Sequence, residues 1–234
     1  SLIETALDKW ADVTGINFIH VEETTDGNNY GDIRFFSQDF SNWSNLDPFY
    51  DGVAGFAYLP YVDSYGDALE GDVFLDSYHL DLNFYASHLI AHEIGHAIGL
   101  SHPHDGFTNA YILNNYDSVM SYDDYAILAN EPMPADIKAM EFLYGDNPNA
   151  NIDDDIYTWT TYEELNYRNS IIDRDGTDTI NLSNHNNGVF INLNADSWSS
   201  LSYNGNSNYY SDEDNWVYNS GNIYISSNSI IENV

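Results

Sequence analysis

The amino-acid sequence contains no cysteine and only five basic residues among its 234 positions. Without cysteine, the chain can build neither a disulfide framework nor a cysteine-ligated metal site, although this absence does not exclude export. The basic residues stand against 38 acidic ones, which gives a formal net charge of −33. A protein that binds nucleic acid needs a basic face, so the composition argues against nucleic acid as a partner.

Long apolar runs are also missing. No stretch is apolar enough to cross a bilayer, and no basic-then-apolar segment marks an N-terminal signal peptide. The helical pattern starts with the first residues, so we expect further residues upstream. With 43% hydrophobic and 15% aromatic residues, the chain can form one or two folded domains. The acidic excess has two explanations, which both stay open: a highly solvated surface in salty surroundings, or several Ca²⁺ sites.

A pattern of zinc ligands stands near the middle of the chain. His92 and His96 are four positions apart, so an α-helix places both imidazoles on one face, where they can share one Zn²⁺. Gly99 predicts the end of that helix, and the turn lets His102 approach the metal from another side. Three histidines leave one coordination position open for a catalytic zinc. Glu93 is placed to accept a proton from the water that such a zinc activates.

The segment 118–122, with the sequence S-V-M-S-Y, completes this pattern. Together with H-E-x-x-H-x-x-G-x-x-H-P at residues 92–103, it resembles the serralysin family of metzincins, which are secreted bacterial zinc endopeptidases. The resemblance implies a Met-turn in which Met120 forms a packing floor beneath the zinc. It also implies that Tyr122 is a further zinc ligand that swings away to hydrogen-bond the reacting carbonyl. A buried packing aromatic is the alternative for Tyr122; matrixins lack this tyrosine, so its presence favours a serralysin.

The segment 54–60 predicts a strand that ends at a proline. In the serralysin family the matching strand lies over the active-site cleft and pairs with the substrate backbone. The resemblance therefore implies substrate contacts at Phe56, Ala57 and Tyr58. The residues alone favour an ordinary sheet strand.

The resemblance, together with the pattern of helices and strands, implies an α/β (α+β) metzincin catalytic domain over residues 1–146, with a twisted mixed sheet and a zinc helix. The predicted helices cover residues 2–14, 84–99 and 132–145, and the predicted strands cover 16–21, 31–36, 54–60 and 71–75. After a turn-rich boundary, residues 147–234 carry short apolar runs, such as the one at 189–193, between Asn, Ser and Gly clusters. They predict a smaller, all-β region.

Two segments of this second region, 172–180 and 223–233, resemble calcium-binding segments of the serralysins. Oxygen donors at short spacing suit Ca²⁺. The resemblance implies calcium ligands at Asp173, Asp175, Gly176, Asp178 and Glu232. Ile172 and Asp175 depart from the family pattern. No G-G-x-G-x-D repeat follows, so we expect the chain to be part of a longer protein that leads toward such calcium-binding repeats.

The sequence therefore predicts a secreted, extracellular zinc endopeptidase that uses Zn²⁺ and Ca²⁺ and acts on protein or peptide substrates. His92, His96 and His102 would hold the zinc, Glu93 would act as general base, and Tyr122 would steady the oxyanion. We expect a monomer, and a protein inhibitor or a propeptide as further partners. The alternative is a non-enzymatic, secreted acidic calcium-binding or adhesin module with a vestigial zinc site. A metzincin that acts on one specific partner protein also stays open.

Overall fold

The computed structural model describes residues 1–26, 29–44, 52–60, 69–105, 113–122, 128–160, 167–185, 189–201, 209–212, 215–218 and 221–234. The helices within these ranges are α1 (Leu2–Val13), α2 (Ser41–Ser44), α3 (Ser77–Leu80), α4 (Asn83–Ala97) and α5 (Pro134–Tyr144). None of these helices has the length and apolar character needed to cross a membrane.

The first half of the chain contains a three-stranded mixed sheet. Its strands are β1 (Phe35–Gln38), β2 (Gly55–Ala57) and β3 (Val73–Asp76), in the order β1-β3-β2. β1 pairs with β3 in parallel, whereas β2 pairs with β3 antiparallel and lies at the edge of the described sheet. The mixed α/β character expected from the sequence is confirmed.

Helix α1 is fixed at its start and at its buried face. The Ser1 side chain accepts a hydrogen bond from the Glu4 backbone N–H, and the Glu4 side chain in turn accepts from the backbone of Ser1, which forms a capping box. Trp10 is fully buried, and its Nε1 donates to the Ala91 carbonyl on α4 at 3.1 Å. This bond satisfies the polar end of a large buried indole and holds α1 against α4.

Helix α4 lies between α1 and the sheet, where it packs against β2 and β3. Because it has neighbours on several sides, most of its residues are buried, including Leu89, Ile90 and Ile94. Val73 and Leu75 point from β3 into the same core, as the alternation of a half-buried strand requires. The histidine-bearing helix is therefore packed against both α1 and the sheet.

The described chain after Gly145 contains strands and no helix. Strand β4 (Leu128–Ala129) precedes α5. The strands after Gly145 are β5 (Ile156–Tyr157), β6 (Tyr167–Ile171), β7 (Thr179–Ile180), β8 (Ser197–Ser199), β9 (Tyr209–Asp212), β10 (Asn215–Tyr218) and β11 (Ile223–Ile225). A four-stranded sheet has the order β4-β6-β11-β8, and β5-β7 and β10-β9 form pairs. Ala150, Ile172 and Tyr224 belong to the same buried cluster as α1 and α4. The main core therefore includes residues from both sides of the predicted boundary at 146.

Two expected strands are not formed in the described chain. Residues 16–21 pair with no strand, and Ile19 is 74% exposed. In residues 189–193 only Phe190 makes a β-bridge, with Ser200. There the Asn192 Oδ1 accepts from the Asn194 N–H at 3.1 Å, and the Asn192 N–H donates to Ser199 Oγ at 2.9 Å. Hydrogen bonds between side chains and the backbone here take the place of the backbone hydrogen bonds that would pair two strands.

Candidate metal centre and its surroundings

Three histidine side chains converge at the C-terminal half of α4. The Nε2 atom of His102 lies 3.2 Å from that of His92 and 3.0 Å from that of His96. Bonds of about 2.0–2.1 Å at tetrahedral angles separate two zinc-bound nitrogens by about 3.3 Å. These two distances, and the placement of ligand atoms of all three histidines within 4.8 Å of one another, fit a single zinc ion.

The other nitrogen of each ring is held by an acceptor. Nδ1 of His92 donates to the Val119 carbonyl at 3.0 Å, and Nδ1 of His96 donates to the Leu100 carbonyl at 2.6 Å. Nδ1 of His102 donates to the Asp105 carboxylate at 2.9 Å. With the proton on Nδ1, every Nε2 offers a lone pair to the same point, and such second partners fix the orientation of metal-ligating histidines.

Burial keeps these imidazoles neutral. It lowers the pKa of His92 well below the usual value, with His96 as a second cause, and it lowers the pKa of His96 to about 4. Burial also lowers the pKa of His102. Neutral imidazole is the form that binds a metal, so the three side chains are already in the ligating state at neutral pH.

The chain reverses at Gly99, as its position predicted. Gly99 has φ +112°, in the region that glycine enters without a Cβ penalty. The Leu100 N–H then donates to the Gly95 carbonyl at 2.9 Å, while the Leu100 carbonyl receives the bond from His96. The turn that ends α4 therefore positions His102 and orients His96 at the same time.

The turn at residues 118–122 lies directly against α4. A Cβ added to Gly95 would overlap the Met120 sulfur, so the thioether occupies the space that only glycine leaves. Met120 is almost fully buried. The turn is held by Asp136 of α5, which accepts bonds from Ser118 Oγ at 2.6 Å and from the Val119 N–H at 2.7 Å.

Glu93 belongs to α4, its side chain points toward β2, and it is 4% exposed. Its Oε2 has no hydrogen-bond partner among the described residues. Burial raises the pKa of Glu93 to about 8, and a cation on the adjacent histidines opposes that shift. A Cβ added to Gly55 would come within 2.9 Å of Glu93 Oε1, so β2 passes directly over the carboxylate.

Tyr122 borders the histidines from the open side. Its ring centre lies 4.5 Å from that of His102 and 5.5 Å from that of His92. The residue is 64% exposed, which argues against the buried packing aromatic considered as the alternative. His104 is also exposed, and its ring lies 5.1 Å from that of Tyr122.

The three candidate substrate residues occupy the edge of the sheet. Ala57 packs against the main core, whereas Phe56 stacks on Phe74 of β3, with ring centres 4.8 Å apart. Tyr58 follows β2 and is 44% exposed. The strand expected over residues 54–60 is thus shorter than predicted, and it lies beside Glu93.

Comparison with known proteins agrees with this geometry. Residues 1–145 match the model of the peptidase M10 family, described as matrixin. The chain belongs to the peptidase M10 family. Three relatives of this M10 chain are a serralysin of Proteus mirabilis (30% identical), serralysin A of Dickeya chrysanthemi (31%) and the metallopeptidase AprA of Pseudomonas marginalis (28%).

The alignments with these relatives cover 84% of the M10 chain and 46%, 45% and 46% of the relatives, respectively. The chain therefore spans about half the length of the curated relatives it matches. The resemblance to serralysins, inferred from the motif at residues 92–103, is confirmed.

A second cluster of possible ligands lies in the C-terminal part of the M10 chain. Carboxylate oxygens of Asp155, Asp173 and Asp178 lie within 4.8 Å of one another. Asp173 Oδ1 and Asp178 Oδ2 are buried and have no hydrogen-bond partner among the described residues. Burial raises the pKa of Asp173 to about 6, although the Tyr157 hydroxyl donates to it at 2.5 Å. Unpartnered buried oxygens of this kind fit a hard cation such as Ca²⁺.

The remaining candidate calcium residues surround this cluster. Gly176 has φ +124°, and a Cβ there would lie 3.0 Å from Asp178 Oδ1. Glu232 Oε2 accepts a bond from the Asp178 N–H at 2.8 Å. Asp175 is exposed, and its carboxylate accepts a bond from the Gly176 N–H at 3.0 Å. Calcium ligation by these three residues stays a prediction.

Sequence reasoning did not identify Gly95, Asp136 or Asp155 as parts of the two sites. Gly95 stands inside the motif, and a glycine within a helix is the signal that something approaches it closely. The signal for Asp136 is an acidic residue at the start of a helix, which is more commonly a simple cap. Asp155 belongs to a run of three aspartates that the sequence alone does not rank.

Proposed function

We propose that this chain carries the catalytic apparatus of a zinc-dependent endopeptidase. The observation that supports it most directly is the convergence of three neutral Nε2 lone pairs beside a buried carboxylate oxygen that has no hydrogen-bond partner among the described residues. His92, His96 and His102 would hold the zinc. A purely structural zinc site has no use for Glu93 at this position, and membership of the peptidase M10 family agrees with a peptide-bond hydrolase.

The residues of the chain would divide the chemistry among them. Zinc, when bound, supplies a Lewis acid that polarises the scissile carbonyl and lowers the pKa of a water molecule. Glu93 would accept the proton of the attacking water and then pass it to the nitrogen of the leaving amine. Tyr122 would donate a hydrogen bond to the oxyanion, either as a zinc ligand that moves away or from its exposed position.

β2 would bind the substrate backbone. In the described sheet it pairs only with β3, so its other edge can add an extended peptide as a further strand. Because Gly55 lies against Glu93, a peptide on this edge passes the carboxylate at close range. Phe56, Ala57 and Tyr58 would then contact the substrate.

Replacement of Glu93 tests the mechanism. We expect Glu93→Gln to keep its zinc, since the amide is nearly isosteric and no zinc ligand changes, and to lose at least on the order of 10²-fold in peptide hydrolysis. Zinc content by atomic absorption and hydrolysis of a peptide mixture are measured on the same preparations. Turnover close to that of the unchanged protein would remove Glu93 as the base. A zinc-loaded parent protein that cleaves no peptide would favour the non-enzymatic alternative.

The other parts of the proposal rest on the resemblance to serralysins. The protein would be secreted and act outside the cell on proteins or peptides, as a monomer, under the control of a propeptide or a protein inhibitor. Ca²⁺ would bind at Asp173 and Asp178, and Asp155 is a further ligand that the carboxylate cluster supports. Residues 1–146 would form the catalytic domain and residues 147–234 an all-β region.

A further inference from the structure

A cavity of about 510 Å³ lies at one end of the three-stranded sheet. Because β1 and β3 are parallel and β2 is antiparallel, the last residues of β1 and β3 and the first residues of β2 meet at this end. The cavity is lined by residues from all three places and from α3, among them Asp39, Phe40, Gly52, Val53, Tyr78 and Asp81.

The cavity lies next to the path expected for a substrate. Since Glu93 Oε1 lies against Gly55, the cleaved bond would lie opposite that glycine. A peptide that pairs antiparallel with β2 runs opposite to it, so the residues after the cleaved bond pass Ala54, then Val53 and Gly52. At about 3.3–3.4 Å per residue, the second and third residues after the cleaved bond reach the rim of the cavity.

The lining suits a long cationic side chain. Asp39 and Asp81 are exposed carboxylates, and Tyr78, which is 66% exposed, offers ring surface to an aliphatic stem. Asp76 also lines the cavity, but its Oδ2 is engaged by His79 Nδ1 at 2.6 Å.

No lysine or arginine stands among the described residues that line the cavity. The chain has five such residues, Lys9, Arg34, Lys138, Arg168 and Arg174, and all of them are described. Four pair with Glu131, Asp72, Asp196 and Asp146, respectively, and Arg168 lies over the Tyr116 ring.

We propose that this cavity is a specificity subsite that selects substrates with lysine or arginine at the second or third position after the cleaved bond. The inference rests on the proposed peptidase activity and adds a substrate class to it. The carboxylates of Asp39 and Asp81 provide the charge, and the exposed Tyr78 ring provides contact for the stem.

A set of quenched fluorescent peptides tests the subsite. Each peptide carries lysine at one of the three positions before or after the cleaved bond, and its partner carries norleucine, which lacks the ammonium group, at the same position. We expect lysine to raise kcat/KM about fivefold over norleucine at the second or third position after the bond, and about 0.5 M NaCl to reduce that ratio.

Two variants address the carboxylates separately. Asp81→Asn and Asp39→Asn should each lower the lysine-to-norleucine ratio about two- to fivefold. Asp81 caps α3 through its backbone N–H, and the amide introduced by Asp39→Asn keeps an oxygen that can accept from the Ser41 N–H, so both variants should fold. Asp8→Asn, an equal charge change on the exposed face of α1, is the matched control and should leave the ratio unchanged.

Equal rates with lysine and norleucine at both positions would overturn the subsite while leaving the peptidase intact. So would a ratio that neither cavity variant changes, or one that Asp8→Asn lowers as much. If the parent protein hydrolyses none of the peptides, the proposed activity fails and the subsite fails with it.

Discussion

The histidine cluster at α4 and the carboxylate cluster around Asp178 each bring several possible metal ligands close together, but the first uses neutral groups and the second uses acidic groups. At the first, neutral nitrogens converge, and protein acceptors fix the far side of every ring. At the second, acidic oxygens converge, and two of them are buried without a partner among the described residues. Neutral donors can lie close together at little electrostatic cost, whereas carboxylates repel one another unless a cation lies between them.

The difference teaches what each cluster needs from the rest of the molecule. The histidine cluster is positioned by the protein itself, through the turn at Gly99 and the hydrogen bonds of Val119 and Asp136. The carboxylate cluster, if it is the proposed calcium site, would depend on an ion for its stability. Removing a hydrogen-bond partner such as Asp136 should therefore disturb the histidine cluster, and removing a cation should destabilise the region around the carboxylate cluster.

The largest effect is expected at Asp136. Asp136→Ala would leave the buried N–H groups of Val119 and Met133 and the Ser118 hydroxyl without their acceptor, at a cost on the order of 3 kcal/mol. Since the Val119 carbonyl orients His92, the zinc content should fall as well. Thermal unfolding and atomic absorption measure the two effects.

Asp117→Ala is the matched control, because this neighbouring carboxylate is only half-buried and accepts one long bond from the Asn114 N–H, at 3.3 Å. A stable, fully zinc-loaded Asp136→Ala protein would contradict the claim that hydrogen bonds from the surrounding protein position the three histidines.

Calcium removal should give the next largest effect. At a Ca²⁺ concentration about a hundredfold above Kd, binding to the folded form alone stabilises it by roughly 2.7 kcal/mol per site. The Tm should therefore fall when calcium is chelated and recover at millimolar Ca²⁺. Asp178→Asn, which keeps the Oδ1 that accepts from the Asp155 N–H, should blunt this response.

Two controls separate a site from general screening. Asp154→Asn changes an exposed neighbour outside the carboxylate cluster and should leave the calcium response intact. Sodium chloride should need on the order of 0.1 M or more to raise the Tm. A Tm that ignores millimolar Ca²⁺ but rises with salt would attribute the effect to the net charge of −33.

The smallest effect is expected at Tyr122. If nitrogen atoms alone suffice to hold the zinc, Tyr122→Phe should keep full zinc content. It should lower kcat about tenfold with little change in KM, because the phenol would act on the transition state. Steady-state kinetics at several peptide concentrations measure both constants. A change confined to KM would make Tyr122 a contact of the bound substrate.

Local patterns in the sequence predicted the histidine cluster well. His92, His96, the glycine turn and His102 all lie within eleven residues, so helix geometry and one local turn bring the three histidines together. The bounds of α1, α4 and α5 were likewise predicted to within about two residues, because capping and turn residues mark their ends.

Features that depend on distant partners were predicted less well. The alternation at residues 16–21 is typical of a strand, but a strand also needs a neighbour, and none is present in the described chain. Asp155 joins Asp173 and Asp178 only through the pairing of β5 with β7, which the sequence does not reveal. The anchoring of the turn at residues 118–122 by Asp136 depends on how α5 packs, and the spacing of residues in the sequence does not reveal that packing.

The placement of the five basic side chains has a consequence for self-digestion, the cleavage of one copy of a peptidase by another. Arg168 and Arg174 are largely enclosed, Lys9 and Arg34 are tied to buried carboxylates, and Lys138 lies on a helix. A cleft that selects cationic residues after the cleaved bond would find almost none in an extended, accessible segment of this chain. The scarcity of accessible lysine and arginine would then slow the cleavage of one copy of the chain by another.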